Sequence, residues 1–125
     1  MTSVLIIDDM LSMRALVKVY LMEYGYTFHE AADGAEGLRI AREKKPDLAI
    51  VDLMMPVLDG IGFLVGLRSD PLVSMTPVII LSASEEQTAR LATFPSPRTF
   101  VALKPIEPAR LKETVREALA LNGAR

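Results

Sequence analysis

The sequence is defined first by what it lacks. It has no cysteine in 125 residues, so thiol nucleophiles, thiolate zinc sites and disulfides are all excluded. No apolar run approaches the roughly 20 residues that a membrane span requires. The start, Met1–Thr2–Ser3 into Val4–Ile7, has neither the positive charge nor the long apolar core of a secretory leader. Charge of one sign is also missing: 14 basic residues face 16 acidic ones, for a formal net charge of -2, so bulk attraction to DNA or to an anionic membrane is not expected. There is no internal repeat, linker or low-complexity tract. What remains is an ordinary globular composition, 50% hydrophobic and 24% charged, at a length that fits one domain, with the cytoplasm as the expected location.

Five short apolar runs punctuate the chain: Val4–Ile7, Tyr26–Ala31, Leu48–Val51, Val78–Leu81 and Phe100–Leu103. All but the second are nearly continuous rather than alternating, the pattern of strands covered on both faces in a parallel sheet. Helical spacing fills the gaps. Met13, Leu16, Val17, Tyr20, Leu21 and Tyr24 form one stripe, with Gly25 as its expected C-terminal cap. Asp33 and Glu36 form a capping-box pair ahead of Ala35, Leu38 and Ala41, and Pro46 follows that helix. Ile61–Arg68 predicts a third helix, weakened by Gly62 and Gly66 at about 1 kcal/mol each. Ser84 and Gln87 open a short fourth helix, expected to stop at Pro95 and Pro97. Pro108 suits the first turn of a fifth, with Leu111, Val115, Ala118 and Leu119 on one face. The result is an α/β (βα)₅ chain, doubly wound because right-handed crossovers place helices on both sides of a parallel sheet.

In such sheets ligands bind outside the carboxyl ends of the strands. Those ends carry Asp8 and Asp9, Asp52, Ser82 and Lys104. Two carboxylates about 4 Å apart repel by up to ~4 kcal/mol at an effective dielectric near 20, so three of them call for a cation or a raised pKa. An all-oxygen, strongly negative donor set suits Mg²⁺ or Ca²⁺, and Mg²⁺ commonly joins carboxylates to phosphate oxygens. A carboxylate can attack a phosphoryl group, metal and lysine can neutralise the transferring oxygens, and a neighbouring hydroxyl can bond the new phosphate.

The segments Val4-Leu-Ile-Ile-Asp-Asp9 with Arg14, Asp52-Leu-Met-Met-Pro-Val-Leu-Asp-Gly60, Leu81-Ser-Ala-Ser84 and Lys104-Pro105 resemble the receiver domains of two-component response regulators. The intervals from Asp52 to Ser82 (82 − 52 = 30) and to Lys104 (104 − 52 = 52) fit that family, and the resemblance spans nearly the whole chain. It implies a flavodoxin-like fold with strand order 2-1-3-4-5, comprising residues 1–125 as a single stand-alone receiver domain. It implies Asp52 as the phosphoacceptor. Asp9 would be the direct Mg²⁺ ligand, Asp8 would act largely through water, and the backbone carbonyl of Met54 would complete the metal site. Ser82 matches the switch hydroxyl and Lys104 the phosphate-binding lysine, and the Lys104–Pro105 bond is expected to be cis. The protein would be a signalling receiver rather than a metabolic enzyme, catalysing its own Mg²⁺-dependent phosphorylation and hydrolysis. The implied partners are a histidine kinase or phosphotransfer protein and a downstream protein, with phosphorylation-dependent homodimerisation as a further expectation. Direct nucleic-acid binding and membrane insertion are not expected.

Two stretches depart from that family. Receivers usually carry Tyr or Phe three residues before the lysine, whereas this chain has Val101, with Phe100 one place earlier. Adjacent strand residues face opposite ways, so Phe100 substitutes only if the strand is bulged. The segment Phe94-Pro-Ser-Pro-Arg98 replaces the small residues usual before strand five and is expected to be stiff. The alternative reading is therefore a pseudo-receiver, a protein-binding module that works without phosphorylation. An aspartyl-phosphate hydrolase would need a second aspartate where Met54 stands, and a dinucleotide enzyme would need a glycine-rich turn where Asp8-Asp-Met-Leu-Ser12 stands. His29, the only histidine, reads as structural or surface.

Overall fold

The computed structural model describes residues 1–93 and 98–122. Within them, β1 (Ser3–Ile7), β2 (Thr27–Ala31), β3 (Leu48–Asp52), β4 (Val78–Ser82) and β5 (Thr99–Leu103) form one sheet in the order β2-β1-β3-β4-β5. Every neighbouring pair is parallel. The helices are α1 (Leu11–Leu21), α2 (Gly34–Lys44), α3 (Gly60–Arg68), α4 (Glu85–Ala89) and α5 (Pro108–Ala120). Among the described residues no helix is long and apolar enough to cross a membrane.

The continuous apolar runs have the expected cause: alternate residues of each central strand feed two separate cores. Leu5, Ile7, Ala49, Val51 and Ile80 face α2 and α3, where they meet Ala41, Phe63, Leu64 and Leu67. Val4, Ile6, Ile50, Ile79 and Leu81 face α1 and α5, where they meet Val17, Leu21, Leu111, Val115 and Ala118. With both faces covered, the sheet's carboxyl edge is the place left for polar strand ends.

Local chemistry sets most boundaries. The Asp33 side chain accepts the Glu36 N–H and caps α2, and Asp59 does the same for α3 through Gly62. Helix α3 forms despite its glycines because the Leu58 and Leu38 side chains lie where a Cβ on Gly62 or Gly66 would stand. Two helices are shorter than their patterns predict. α1 tightens after Leu21 into a 3₁₀ turn over Met22–Tyr24, which Gly25 then closes at φ 69°. α4 keeps α geometry only to Ala89 and continues as a 3₁₀ turn over Arg90–Thr93, so it changes form before either proline is reached. The expected stiff stretch at Pro95 and Pro97 lies outside the described residues. At the other end of the sheet, Leu121 and Asn122, just past α5, are pinned to the strands' amino edge. Asn122 Nδ2 donates to the Asp47 carbonyl at 2.9 Å, and Arg98 Nη2 donates to the Leu121 carbonyl at 3.1 Å.

Candidate functional site

The parallel order gathers the polar strand ends at one edge. Asp52 closes β3 and Ser82 closes β4, while Asp8 and Lys104 each follow a strand directly. Ladder bonds run past the strand ends and fix these positions. The Asp8 N–H donates to the Ala31 carbonyl at 3.1 Å, Leu53 N–H to the Leu81 carbonyl at 3.0 Å and Lys104 N–H to the Ser82 carbonyl at 2.8 Å. Gly60 is required by proximity, since a Cβ there would sit 2.8 Å from the Asp52 carbonyl oxygen and from the Leu53 Cα. The loop ahead of it turns at Val57, a β-branched residue held at φ 67°. The Lys104–Pro105 bond is cis.

Carboxylate oxygens of Asp8, Asp9 and Asp52 all lie within 4.8 Å of one another. Asp8 is 2% exposed and Asp52 7%, whereas Asp9 opens to solvent. Lys104 Nζ donates to Asp52 Oδ1 at 2.9 Å. Asp8 Oδ1 accepts the Met10 N–H at 2.9 Å, but Asp8 Oδ2 is buried with no hydrogen-bond partner among the described residues. Burial pushes the Asp8 carboxyl above the ordinary aspartate range, and the charge of Asp52 adds to that shift against the Met10 amide and Lys104. A buried polar atom without a partner is rare enough to need a reason. A hard divalent cation would supply one: three carboxylates converge, and one of their oxygens is left over. The donor set fits Mg²⁺, with Asp8, Asp9 and Asp52 as the groups able to hold it. Met54 lies two residues beyond Asp52 with its side chain turned to the surface, where Arg90 Nη1 meets its sulfur at 3.0 Å.

Ser82 is fully buried, and its hydroxyl is turned to its own loop. Ser82 Oγ donates to the Ser84 carbonyl at 2.8 Å and accepts from Thr88 Oγ1 at 2.9 Å. That loop is held to α4 twice more, by Gln87 N–H on Ser84 Oγ at 3.1 Å and by Ala83 N–H on Gln87 Oε1 at 3.1 Å. The capping box at Ser84 is therefore half formed, with the Gln87 side chain reaching Ala83 instead of Ser84. Nothing in the sequence marks Thr88, because a lone threonine in a helix as short as Glu85–Ala89 carries no periodic signal.

The missing aromatic is not recovered. β4 and β5 pair without a bulge from Val78↔Thr99 to Ser82↔Leu103, and Phe100 packs into the core against α1 and α5. Val101 lies on the opposite face, 36% exposed, in an open cleft of about 560 Å³ that Thr88, Leu103, Lys104 and Arg110 also line.

A second network steadies the acidic turn from behind. Arg14 Nη1 donates to the Asp8 carbonyl at 2.6 Å, and Glu30 on β2 takes Arg14 Nε at 2.9 Å and Lys18 Nζ at 2.7 Å. The Lys18 hydrogen bond, with Arg14 behind it, holds the Glu30 carboxyl below the usual glutamate range. A depressed folded pKa adds stability that is present above the unfolded value, about 4.3, and is lost as pH falls through the folded one. Urea midpoints of the wild type and of Glu30→Gln are therefore expected to differ near neutrality and to converge in acid. A gap that persisted or widened at low pH would contradict the ion pairing of Glu30.

The family model described as response regulator receiver domain matches residues 4–116. The chain is 35% identical over 116 residues to the probable transcriptional regulator ycf27 of Porphyridium aerugineum, covering 93% of this chain and 47% of that protein. It is 34% identical to the transcriptional regulatory protein SrrA of Staphylococcus aureus, with the same coverage of each. It thus spans less than half the length of these curated relatives. Among solved structures, chemotaxis protein CheY4 of Vibrio cholerae superposes with a TM-score of 0.83 at 32% identity, over 94% of this chain and 98% of that one.

Proposed function

Because the chain belongs to the response regulator receiver family, we propose that residues 1–125 act as one receiver unit in which Asp52 accepts a phosphoryl group from a histidine kinase or phosphotransfer protein. The observation that carries this reading is the cluster of Asp8, Asp9 and Asp52 with a buried, partnerless Asp8 oxygen and Lys104 seated on Asp52. Mg²⁺, held by Asp8, Asp9, Asp52 and the Met54 backbone carbonyl, would neutralise charge on the transferring oxygens when bound.

The protein's own groups do the rest. An Asp52 carboxylate oxygen attacks phosphorus in line with the leaving group of a phosphohistidine protonated on its other ring nitrogen. The O–P bond forms, the P–N bond breaks with its electron pair returning to nitrogen, and the imidazole leaves as the neutral ring, keeping that proton. Lys104 moves with the charge, since the ammonium that now bonds Asp52 lies within reach of a phosphoryl oxygen. Ser82 then exchanges its bond to the Ser84 carbonyl for one to the phosphate, a contact available only in the modified state, and the Ser82–α4 loop moves with it. That movement presents a changed surface to a downstream protein or to a second phosphorylated copy. The work is done in the cytoplasm, without direct contact to nucleic acid and without membrane insertion.

One observation favours a second reading. Val101 sits in an open cleft on an unbulged strand, so the usual aromatic reporter of the switch is absent. A pseudo-receiver that binds its partner without phosphorylation would have that feature. Incubation with Mg²⁺ and acetyl phosphate, followed by intact mass measurement, separates the two. A receiver gains a single phosphoryl adduct, and a chelator added beforehand reduces it to background. No adduct, either from acetyl phosphate or from a phosphorylated kinase domain, with Mg²⁺ binding intact, supports the pseudo-receiver.

A further inference from the structure

We infer that Thr88 is the positioning residue for the Ser82 hydroxyl, holding it turned away from Asp52 until the phosphoryl group arrives. This rests on the phosphoacceptor reading above and extends it to a residue outside the strand ends. The argument begins with hydrogen counting. The Ser82 hydroxyl has one hydrogen, and it is given to the Ser84 carbonyl at 2.8 Å. To bond a phosphoryl oxygen, Ser82 must withdraw that hydrogen and rotate.

Thr88 opposes the rotation. Its own single hydrogen has two acceptors at equal distance, Ser82 Oγ at 2.9 Å and the Ser84 carbonyl at 2.9 Å. The Ser84 carbonyl already receives Ser82 Oγ and the Thr88 N–H, the latter at 3.1 Å, which uses both of its lone pairs. The Thr88 hydrogen is therefore directed at Ser82, making a chain of hydroxyls from Thr88 through Ser82 to Ser84, in which each bond strengthens the next. Exposure decides which contact matters more. Ser82 is wholly buried, so water cannot replace Thr88 on its oxygen, whereas Ser84 is partly exposed and its carbonyl can be served by solvent. Loss of the Thr88 hydroxyl thus weakens the unmodified arrangement more than the modified one.

The position has a further meaning because Val101 leaves the neighbouring cleft unfilled. With no aromatic ring against the switch hydroxyl, Thr88 is the side chain of α4 that touches it directly.

The test uses Thr88→Val, nearly the same shape without the hydroxyl, and Thr88→Ser, which keeps it. In unmodified, metal-free protein, Ser82 Hα–Hβ couplings are expected to report one χ1 rotamer in wild type and Thr88→Ser, and averaging in Thr88→Val. With Mg²⁺ and beryllofluoride as the phosphoryl mimic, Thr88→Val is expected to bind roughly 2- to 10-fold tighter than wild type, the range set by one neutral hydrogen bond. The difference should vanish in a Ser82→Ala background, because Thr88 acts only through Ser82. Equal or weaker mimic binding by Thr88→Val, or the same gain without Ser82, overturns the inference and leaves the phosphoacceptor reading standing. A wild type that binds no mimic, while still binding Mg²⁺, overturns both.

Discussion

Replacing Asp52 by asparagine is expected to reduce phosphoryl uptake to background while leaving a folded protein. The amide is not a nucleophile towards phosphorus, and no other carboxylate of the cluster has the same surroundings. Asp8 is held by the Met10 N–H on one oxygen and buried on the other, and Asp9 is open to water; Asp52 alone of the three bonds Lys104. The fold should survive because the substitution preserves shape at the end of β3 and its amide oxygen can still accept from Lys104 Nζ. It also removes one charge from a crowded group. At about 4 Å and an effective dielectric near 20 each carboxylate pair repels by up to ~4 kcal/mol, so thermal stability should be no lower than that of the wild type. Intact mass and a melting curve on the same samples measure both effects. Continued labelling of Asp52→Asn would show that another aspartate is the acceptor.

The largest stability loss is expected from Phe63→Ala. Phe63 is fully buried on α3, and the surrounding packing is dense: a Cβ placed on Gly37 of α2 would fall 3.4 Å from its ring and 2.5 Å from Ile7 Cδ1. Ile7 immediately precedes Asp8, so this core is the floor beneath the acidic turn. Emptying a site of this kind removes the ring's burial and leaves a cavity that close-packed neighbours only partly fill, at a cost of about 3–5 kcal/mol. Against the roughly 5–15 kcal/mol that holds a typical domain together, that is a large share. Urea denaturation should show the loss as a lower midpoint with an unchanged slope. A loss under about 1 kcal/mol would place the ring outside the packed core.

Much of this arrangement was readable from residue order. The run Leu48–Val51 is apolar at every position because β3 is central and both its faces are covered, and the aspartate that interrupts the pattern must then lie at the open edge. The same reasoning locates Ser82 and the Asp8–Asp9 turn. The separate roles expected of them rest on resemblance to receivers, since spacing alone does not tell an acceptor from a metal ligand. What could not be read depends on which side chains meet once the chain is folded. Ser82 is marked by its place at a strand end, but nothing marks Thr88, six residues on, as its partner, and Glu30 reads as an ordinary strand residue until Arg14 folds across to it. Val57 is the clearest case. A β-branched side chain argues against φ 67°, yet the chain turns there because Asp59 caps α3 and Gly60 is pressed under β3. Similarly, the stripe ending in Tyr24 promised a longer α1, whereas Gly25 closes a tighter 3₁₀ turn.

The placement of α5 limits how news of a modification can leave the molecule. Its first turn adjoins Lys104–Pro105 at the acidic edge, and the residues just past its end, Leu121 and Asn122, are tied to Arg98 and Asp47 at the opposite one. Its 13 residues make a rod about 20 Å long at ~1.5 Å per residue. Charge added at Asp52 is screened over about 8 Å at physiological salt, so a binding partner seated at the far end of α5 lies more than two screening lengths away. Such a partner would sense almost none of the phosphoryl group's field. It would respond only to displacement, delivered by a stiff helix whose inner face is locked into the core, and its response should therefore be nearly indifferent to ionic strength.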